Sequence, residues 1–139
     1  AEGGKIVAGG KRFELKGEFE SGYFVEPTII TGLDQRCRTN QEEIFGPVVT
    51  VMPFENEEEA VELANSTTYG LASVVWTQHL GRAHRVAAQM QSGIVWVNCW
   101  LLRDLRTPFG GMKHSGIGRE GGSHSFEFYS ELSNVTIKL

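Results

Sequence analysis

Glu42-Glu43-Ile44-Phe45-Gly46-Pro47 places two carboxylates ahead of an aromatic ring and a Gly-Pro stop. Gly-Pro ends any helix that runs into it, and the residue before a proline is pushed to extended backbone. Glu43 and Phe45 are therefore expected on a non-helical segment, just before the apolar run Val48-Val49-Thr50-Val51. A carboxylate accepts hydrogen bonds from two hydroxyls at once, as a ribose offers, and a neighbouring ring can cover a flat heterocycle. The pairing suits the edge of a sugar nucleotide. Taken alone, the same residues also fit a solvated acidic loop with one anchored Phe, and by themselves they favour it.

A second group with chemistry is Cys99-Trp100-Leu101-Leu102-Arg103-Asp104-Leu105-Arg106-Thr107-Pro108-Phe109, where two arginines bracket one acid. A local salt bridge with Asp104 accounts for one arginine and leaves the other free. A free guanidinium grips a carboxylate by paired hydrogen bonds.

Other signals point to less. Gly116-Ile117-Gly118-Arg119-Glu120-Gly121 matches the G-x-G-x-x-G dinucleotide fingerprint literally. That fingerprint needs a preceding strand, a helix starting within it and room for a βαβ unit. Here Thr107-Pro108-Phe109-Gly110-Gly111 precedes it and 18 residues follow Gly121, so the match is rejected. Its glycines fit a tight path near a ligand mouth or a helix start. His79 and His84 are five apart and do not stack on one helical face as paired ligands would. His114 and His124 lie in a loop without a cysteine or acid at metal-binding spacing, so no metal site is expected. Cys37 and Cys99 form no disulfide framework. Arg36 and Arg38 would lower the pKa of Cys37 if they converged on it. A loop cysteine is the plainer reading, and Cys99, after an apolar strand, reads as buried and inert.

The elements that must carry these residues are short. Lys5-Ile6-Val7-Ala8 and Arg12-Phe13-Glu14-Leu15 read as strands joined by a Gly-rich turn, and Thr28-Ile29-Ile30-Thr31 as a further strand. Arg36 to Gln41 suits a short helical turn. From Val48 the pattern alternates. An apolar strand runs over 48–54, and a helix is N-capped by Asn56, with Glu57, Glu58 and Glu59 in its first turn. Ala60, Leu63 and Ala64 form its stripe. A strand follows over Leu71 to Trp76, then a helix over about 79–90 with Leu80, Ala83, Val86, Ala87 and Met90 on one face, then a strand from Ile94 to Val97. Such βαβαβ order implies an α/β fold, a parallel sheet with flanking helices. Residues 100–125 form a long Gly-rich connection, a length that usually serves function. Val135, Ile137 and Leu139 share one face of a terminal strand.

With 139 residues the chain is long enough for one domain with a core, and 40% hydrophobic against 22% charged residues is a globular balance. A net charge of −4 argues against nucleic acid and anionic membrane as partners. No apolar run reaches a membrane span, and Ala1-Glu2-Gly3-Gly4-Lys5 does not make a signal peptide. The cytoplasm is the default compartment. A start without Met fits a fragment or a processed chain.

Glu-Glu-Ile-Phe-Gly-Pro resembles a signature of the aldehyde dehydrogenase superfamily. So do Gly22-Tyr23-Phe24-Val25-Glu26-Pro27, Ser66-Thr67-Thr68-Tyr69-Gly70-Leu71-Ala72, Gly93-Ile94-Val95-Trp96-Val97-Asn98 and Pro108-Phe109-Gly110-Gly111-Met112-Lys113-His114-Ser115-Gly116. They occur in the family's order and cover nearly the whole chain. They resemble only the last part of such an enzyme. The resemblance implies that the nucleophilic cysteine, its base and the dinucleotide fold lie upstream, so no catalytic nucleophile is assigned here and Cys99 is not promoted to that post.

The implied activity is NAD-dependent oxidation of an aldehyde. A cysteine thiolate adds to the carbonyl, hydride passes to the nicotinamide, and water releases the acid. By resemblance, Glu43 and Phe45 bind at the nicotinamide ribose and Leu71 at the ring. Phe109 walls the substrate tunnel together with Arg103 and Arg106. Glu120 resembles a residue suggested to pass protons, a structural role at a helix start fitting equally. NADP stays open, because residues reading the adenosine ribose would lie upstream. The stretch Trp-Leu-Leu-Arg-Asp-Leu-Arg-Thr-Pro-Phe-Gly-Gly is similar to the branch oxidising 2-hydroxymuconic and 2-aminomuconic semialdehydes, whose far end is an acid. Arg103 is therefore expected on the substrate carboxylate, with Arg106 second.

Residues 1–131 are expected to be the C-terminal part of the catalytic domain, inactive alone. Residues 132–139 are expected to be an oligomerisation strand completing an intersubunit sheet of a homodimer or homotetramer. The other classes are a non-catalytic assembly unit and a truncated nucleotide-binding module.

Overall fold

The computed structural model describes residues 2–139. The chain divides into two compact units, Ala1–Thr67 and Thr68–Leu139.

In the first unit, β1 (Lys5–Ala8), β4 (Thr28–Thr31) and β5 (Val48–Val51) form a sheet in the order β1-β4-β5, while β2 (Arg12–Phe13) pairs with β3 (Phe24–Val25). β4 and β5 run parallel, with Thr28 opposite Val48 and Thr31 opposite Val51. β1 is antiparallel to β4, with a register shift between Ile6 and Ala8. The first two strands, read as joined by a Gly-rich turn, thus belong to two separate ladders. The reason lies at the turn. Gly9 and Gly10 have φ of 69° and 83°, a left-handed path that glycine adopts freely. Gly9 lies so close to Pro27 that a Cβ there would sit 2.1 Å from the Pro27 carbonyl oxygen. The Gly10 N–H donates to the buried Thr28 hydroxyl at 2.8 Å, which itself donates to the Glu26 carbonyl at 2.7 Å. The turn is therefore fastened to the Glu26–Thr28 backbone, and β2 is delivered to β3.

A short helix, α1 (Arg38–Gln41), precedes the acidic stretch, and α2 (Glu57–Asn65) follows β5. The Asn56 side chain accepts from the Glu59 N–H at 2.9 Å, the expected N-cap, and the Glu59 carboxylate accepts from the Glu55 N–H at 2.6 Å. Ala60 and Leu63 are partly buried, whereas Ala64 is exposed and Val61 takes a place in the stripe.

In the second unit, β7 (Ala72–Val75) and β8 (Ile94–Val97) run parallel, joined through α3 (Leu80–Gln89). The helix buries Ala83 and Val86, and Trp96 of β8 is buried as well. Leu80, expected on the same face, is 74% exposed at the helix start. The α/β class holds, and among the described residues each unit contains one parallel strand pair, β4 with β5 and β7 with β8. β6 (Tyr69–Gly70) pairs antiparallel with β9 (Met112–Lys113). The last helix, α4 (Ser123–Tyr129), gives the glycine run the helix start that is one of its two readings; it begins after Gly122, whose φ is 51°.

Residues 130–139 form no regular element. Val135 and Ile137 are 78% and 75% exposed. The expected terminal strand has its alternation but no neighbour among the described residues, and a strand's backbone groups need one.

Candidate functional site

The acidic stretch is displayed by the end of α1. The helix stops at Gln41, and Glu42 is already extended, at φ −107° and ψ 149°. Arg38 donates from Nε to the Glu42 carboxylate at 2.6 Å, so Glu42 is used locally. Glu43 lines an open groove of about 610 Å³ together with Glu2, Arg38, Glu42 and the apolar Ile6, Ile30 and Ile44, and no described side chain pairs with it. Phe45 has φ of 53° and is 92% exposed. That left-handed backbone costs a non-glycine residue roughly 1–2 kcal/mol, and here it turns the ring to solvent. The Phe45 ring is displayed rather than anchored. An exposed carboxylate, two residues from a displayed ring, can accept from the hydroxyls of a ribose while the ring covers a flat heterocycle.

Sequence reasoning missed what holds α1. The Glu2 carboxylate accepts from the Arg38 and Thr39 N–H groups at 3.0 and 3.3 Å and from the Thr39 hydroxyl. Hydrogen bonds led by the Thr39 hydroxyl hold the Glu2 carboxyl below its ordinary range. Thirty-six residues separate Glu2 from Arg38, so no local signal marks the contact. Cys37 and Cys99 are free thiols and half-buried, so Cys99 is less enclosed than expected.

The second unit brings together most of the remaining candidates. Leu71, Phe109 and Glu120 line one open cleft of about 280 Å³, with Ser115 and Arg119 on its wall. Phe109 and Glu120 face each other across an antiparallel bridge: the Phe109 N–H donates to the Glu120 carbonyl at 2.7 Å and the Glu120 N–H to the Phe109 carbonyl at 2.8 Å. Arg119 donates to the Gly111 and Gly118 carbonyls at 2.9 and 2.7 Å and ties the two sides of the loop. Gly118 is required there, since a Cβ would stand 2.1 Å from the Phe128 ring. The rejected glycine fingerprint is thus a tight loop around this cleft, with α4 beginning after it.

Arg103 does not itself line that cleft but contacts two residues that do. Its guanidinium carbon lies 3.9 Å from the centroid of the Phe109 ring, and its Nη2 donates to Glu120 Oε1 at 3.1 Å. The expectation of one free arginine is therefore corrected: both are paired. Arg106 is the one bound to Asp104, from Nε at 2.9 and 3.1 Å and from its own N–H at 2.9 Å. The Arg106 side chain holds the Asp104 carboxyl below its ordinary value, and Asp104 raises Arg106 in turn. Arg106 is 87% exposed and does not join Arg103 on Phe109.

The loop bearing Arg103 is pinned from β8. The Trp96 indole donates to the Leu102 carbonyl at 2.7 Å, and its ring meets Trp100 edge-on at 5.1 Å. Asn98 exchanges two hydrogen bonds with the Thr77 backbone, at 2.9 and 2.8 Å, and clips the ends of β7 and β8. Leu101 then bends the loop at φ 56°. Among the described residues no three His, Cys, Asp or Glu side chains are grouped to hold a metal ion, and no helix is long and apolar enough to cross a membrane.

A family model described as "Aldehyde dehydrogenase family" matches residues 1–135. The chain is 59% identical over 138 residues to a 2-hydroxymuconic semialdehyde dehydrogenase of Pseudomonas sp. (strain CF600), covering 99% of this chain and 28% of that protein. It is 50% identical over 140 residues to a 2-aminomuconic semialdehyde dehydrogenase of Homo sapiens, covering 99% of this chain and 29% of that one. Among solved structures, a mutant indole-3-acetaldehyde dehydrogenase of P. syringae in complex with NAD+ and IAA superposes with a TM-score of 0.89 at 46% identity, over 99% of this chain and 27% of that one. The chain thus spans less than a third of the length of the curated relatives it matches.

Proposed function

The chain belongs to the aldehyde dehydrogenase family, and we propose that it forms the C-terminal part of an enzyme that oxidises a carboxylate-bearing semialdehyde to the acid. The substrate is of the 2-hydroxymuconic or 2-aminomuconic type, and the cofactor is NAD. The observation that carries the substrate class is Arg103, a guanidinium held over the ring of Phe109, a residue that lines a cleft. A planar, permanently charged donor fork matches a carboxylate in paired, charge-assisted hydrogen bonds, which are stronger than those it makes to an uncharged carbonyl. The relatives named for muconic semialdehydes support the same class.

Glu43 would accept the ribose hydroxyls of the cofactor, Phe45 would cover its heterocycle, and Leu71 would contact the ring. When bound, NAD supplies the hydride acceptor. Phe109 narrows the substrate path and carries Arg103 on its face; Arg106 fixes the loop through Asp104. Residues 1–131 complete a catalytic domain whose nucleophile lies elsewhere, so this chain alone is inactive. Residues 132–139 become an edge strand in a homo-oligomer, a role their exposed alternating apolar face supports.

The test is Arg103→Leu in the full-length enzyme, assayed with an acid semialdehyde and with an uncharged aldehyde. The expected result is a raised KM for the acid semialdehyde alone. Equal losses on both substrates would refute the carboxylate role.

A further inference from the structure

We propose that Glu120 is a positioning residue that sets how strongly the substrate carboxylate is held, acting through its ion pair with Arg103. The inference rests on the reading of Arg103 as the carboxylate-binding group. Arg103 Nη2 and Glu120 Oε1 are 3.1 Å apart, and the two side chains are 37% and 51% exposed, so the pair stands at the surface beside the cleft that Glu120 lines and is open to an incoming ligand. The two-way backbone pairing of Phe109 with Glu120 holds the two main chains side by side, so both side chains start from a shared base. The ring in turn lies 3.9 Å from the guanidinium carbon. Arg103 is thus located from two sides, one face by Phe109 and one nitrogen by Glu120.

A guanidinium carries donors on more than one edge, so a contact at Nη2 leaves donors for a second carboxylate. Two anions on one guanidinium repel each other. Glu120 therefore has two opposed effects. It holds Arg103 in its binding pose, and its charge weakens the grip on a substrate carboxylate. Glutamine separates the two, because its side-chain carbonyl still accepts from Arg103 but carries no charge. Alanine removes both the hold and the charge.

The experiment is a steady-state comparison in the full-length enzyme of an acid semialdehyde with an uncharged aldehyde of similar length. E120Q is expected to lower KM for the acid semialdehyde about two- to fivefold, the range a partly exposed charge interaction supplies, and E120A to raise it by about the same factor. The readout is the KM ratio between the two substrates, which a general loss of turnover or a merely structural defect does not move. Opposite shifts in that ratio for the two variants support the proposal, and any other pattern overturns it. If E120A does not fold, the E120Q ratio alone decides. Arg103→Leu, run in parallel, separates the two claims. If it discriminates between the substrates and the Glu120 variants do not, only the Glu120 role fails. If Arg103→Leu does not discriminate, both claims fail.

Discussion

The Arg103 guanidinium carbon stands 3.9 Å above the Phe109 ring, while the Glu120 backbone is hydrogen-bonded to Phe109 in both directions. The cation is therefore carried on an aromatic shelf that is itself fixed to the residue pairing with the cation. At a partly exposed site a cation–π contact contributes about 0.5–1 kcal/mol. Phe109→Leu should keep an apolar wall but lose that contact. The expected outcome is a KM for an acid semialdehyde raised about two- to fivefold, a smaller loss than for Arg103→Leu. A KM unchanged within error would show that the ring does not position Arg103.

Trp96 acts one residue away from Arg103. Its buried indole donates to the Leu102 carbonyl at 2.7 Å, just after the left-handed turn at Leu101. Trp96→Phe keeps most of the packing volume and leaves that carbonyl unpaired. A loss of about 1–2 kcal/mol is expected from chemical denaturation. Hydrogen exchange should rise in 99–106 and stay unchanged in α2. Uniform exchange changes across the chain would argue against a local anchor.

These contacts divide by sequence distance. Asn56 and Glu59 are three residues apart, and the cap was legible as written. Ala83 and Val86 lie one turn apart on α3, and both are buried as the spacing implies. Arg103 and Glu120 are 17 residues apart, so the only acid visible near Arg103 was Asp104, which binds Arg106 instead. Gly9 and Gly10 read correctly as a turn, but the partner of β1 is chosen by Thr28, 18 residues past Gly10. The start of α4 was legible in the glycines before it, but its extent was not, because its aromatic residues, Phe126, Phe128 and Tyr129, do not advertise helix. The alternation at Val135, Ile137 and Leu139 is plain, yet pattern alone supplies no neighbour to pair with.

Two glycines should respond very differently to alanine. At Gly93 a Cβ would stand 1.6 Å from the Gly110 carbonyl oxygen, a backbone atom that cannot move without shifting the loop before β9. At Gly17 nothing lies within 4 Å, and the cost is only that of φ 74°. Gly17→Ala should therefore cost about 1 kcal/mol. Gly93→Ala should cost several times more, or prevent folding, because backbone overlap has no rotamer to relieve it. Comparable melting temperatures for the two variants would mean that the close approach of Gly93 to Gly110 is absent in solution.

The Asp104–Arg106 clasp carries a pH dependence with a defined sign. The Arg106 side chain first, and its backbone N–H second, hold the Asp104 carboxyl below its ordinary value of 3.8, with desolvation opposing them. A carboxyl whose folded value is depressed contributes stability above its unfolded value and loses that contribution as pH falls through the folded one. The clasp should therefore be intact at neutral pH and open only in acid below 3.8. Both partners are at the surface, so global stability should barely register the change. Local titration is the sensitive measurement. In Arg106→Gln the Asp104 carboxyl carbon should titrate at higher pH than in the unmodified chain, followed by NMR. Adding salt should raise its midpoint in the unmodified chain, because exposed charges are screened. An Asp104 midpoint that ignores both the substitution and the salt would mean that Arg106 is not held there, and that the loop is fixed by its other contacts, from Trp96, Thr107 and Gly122.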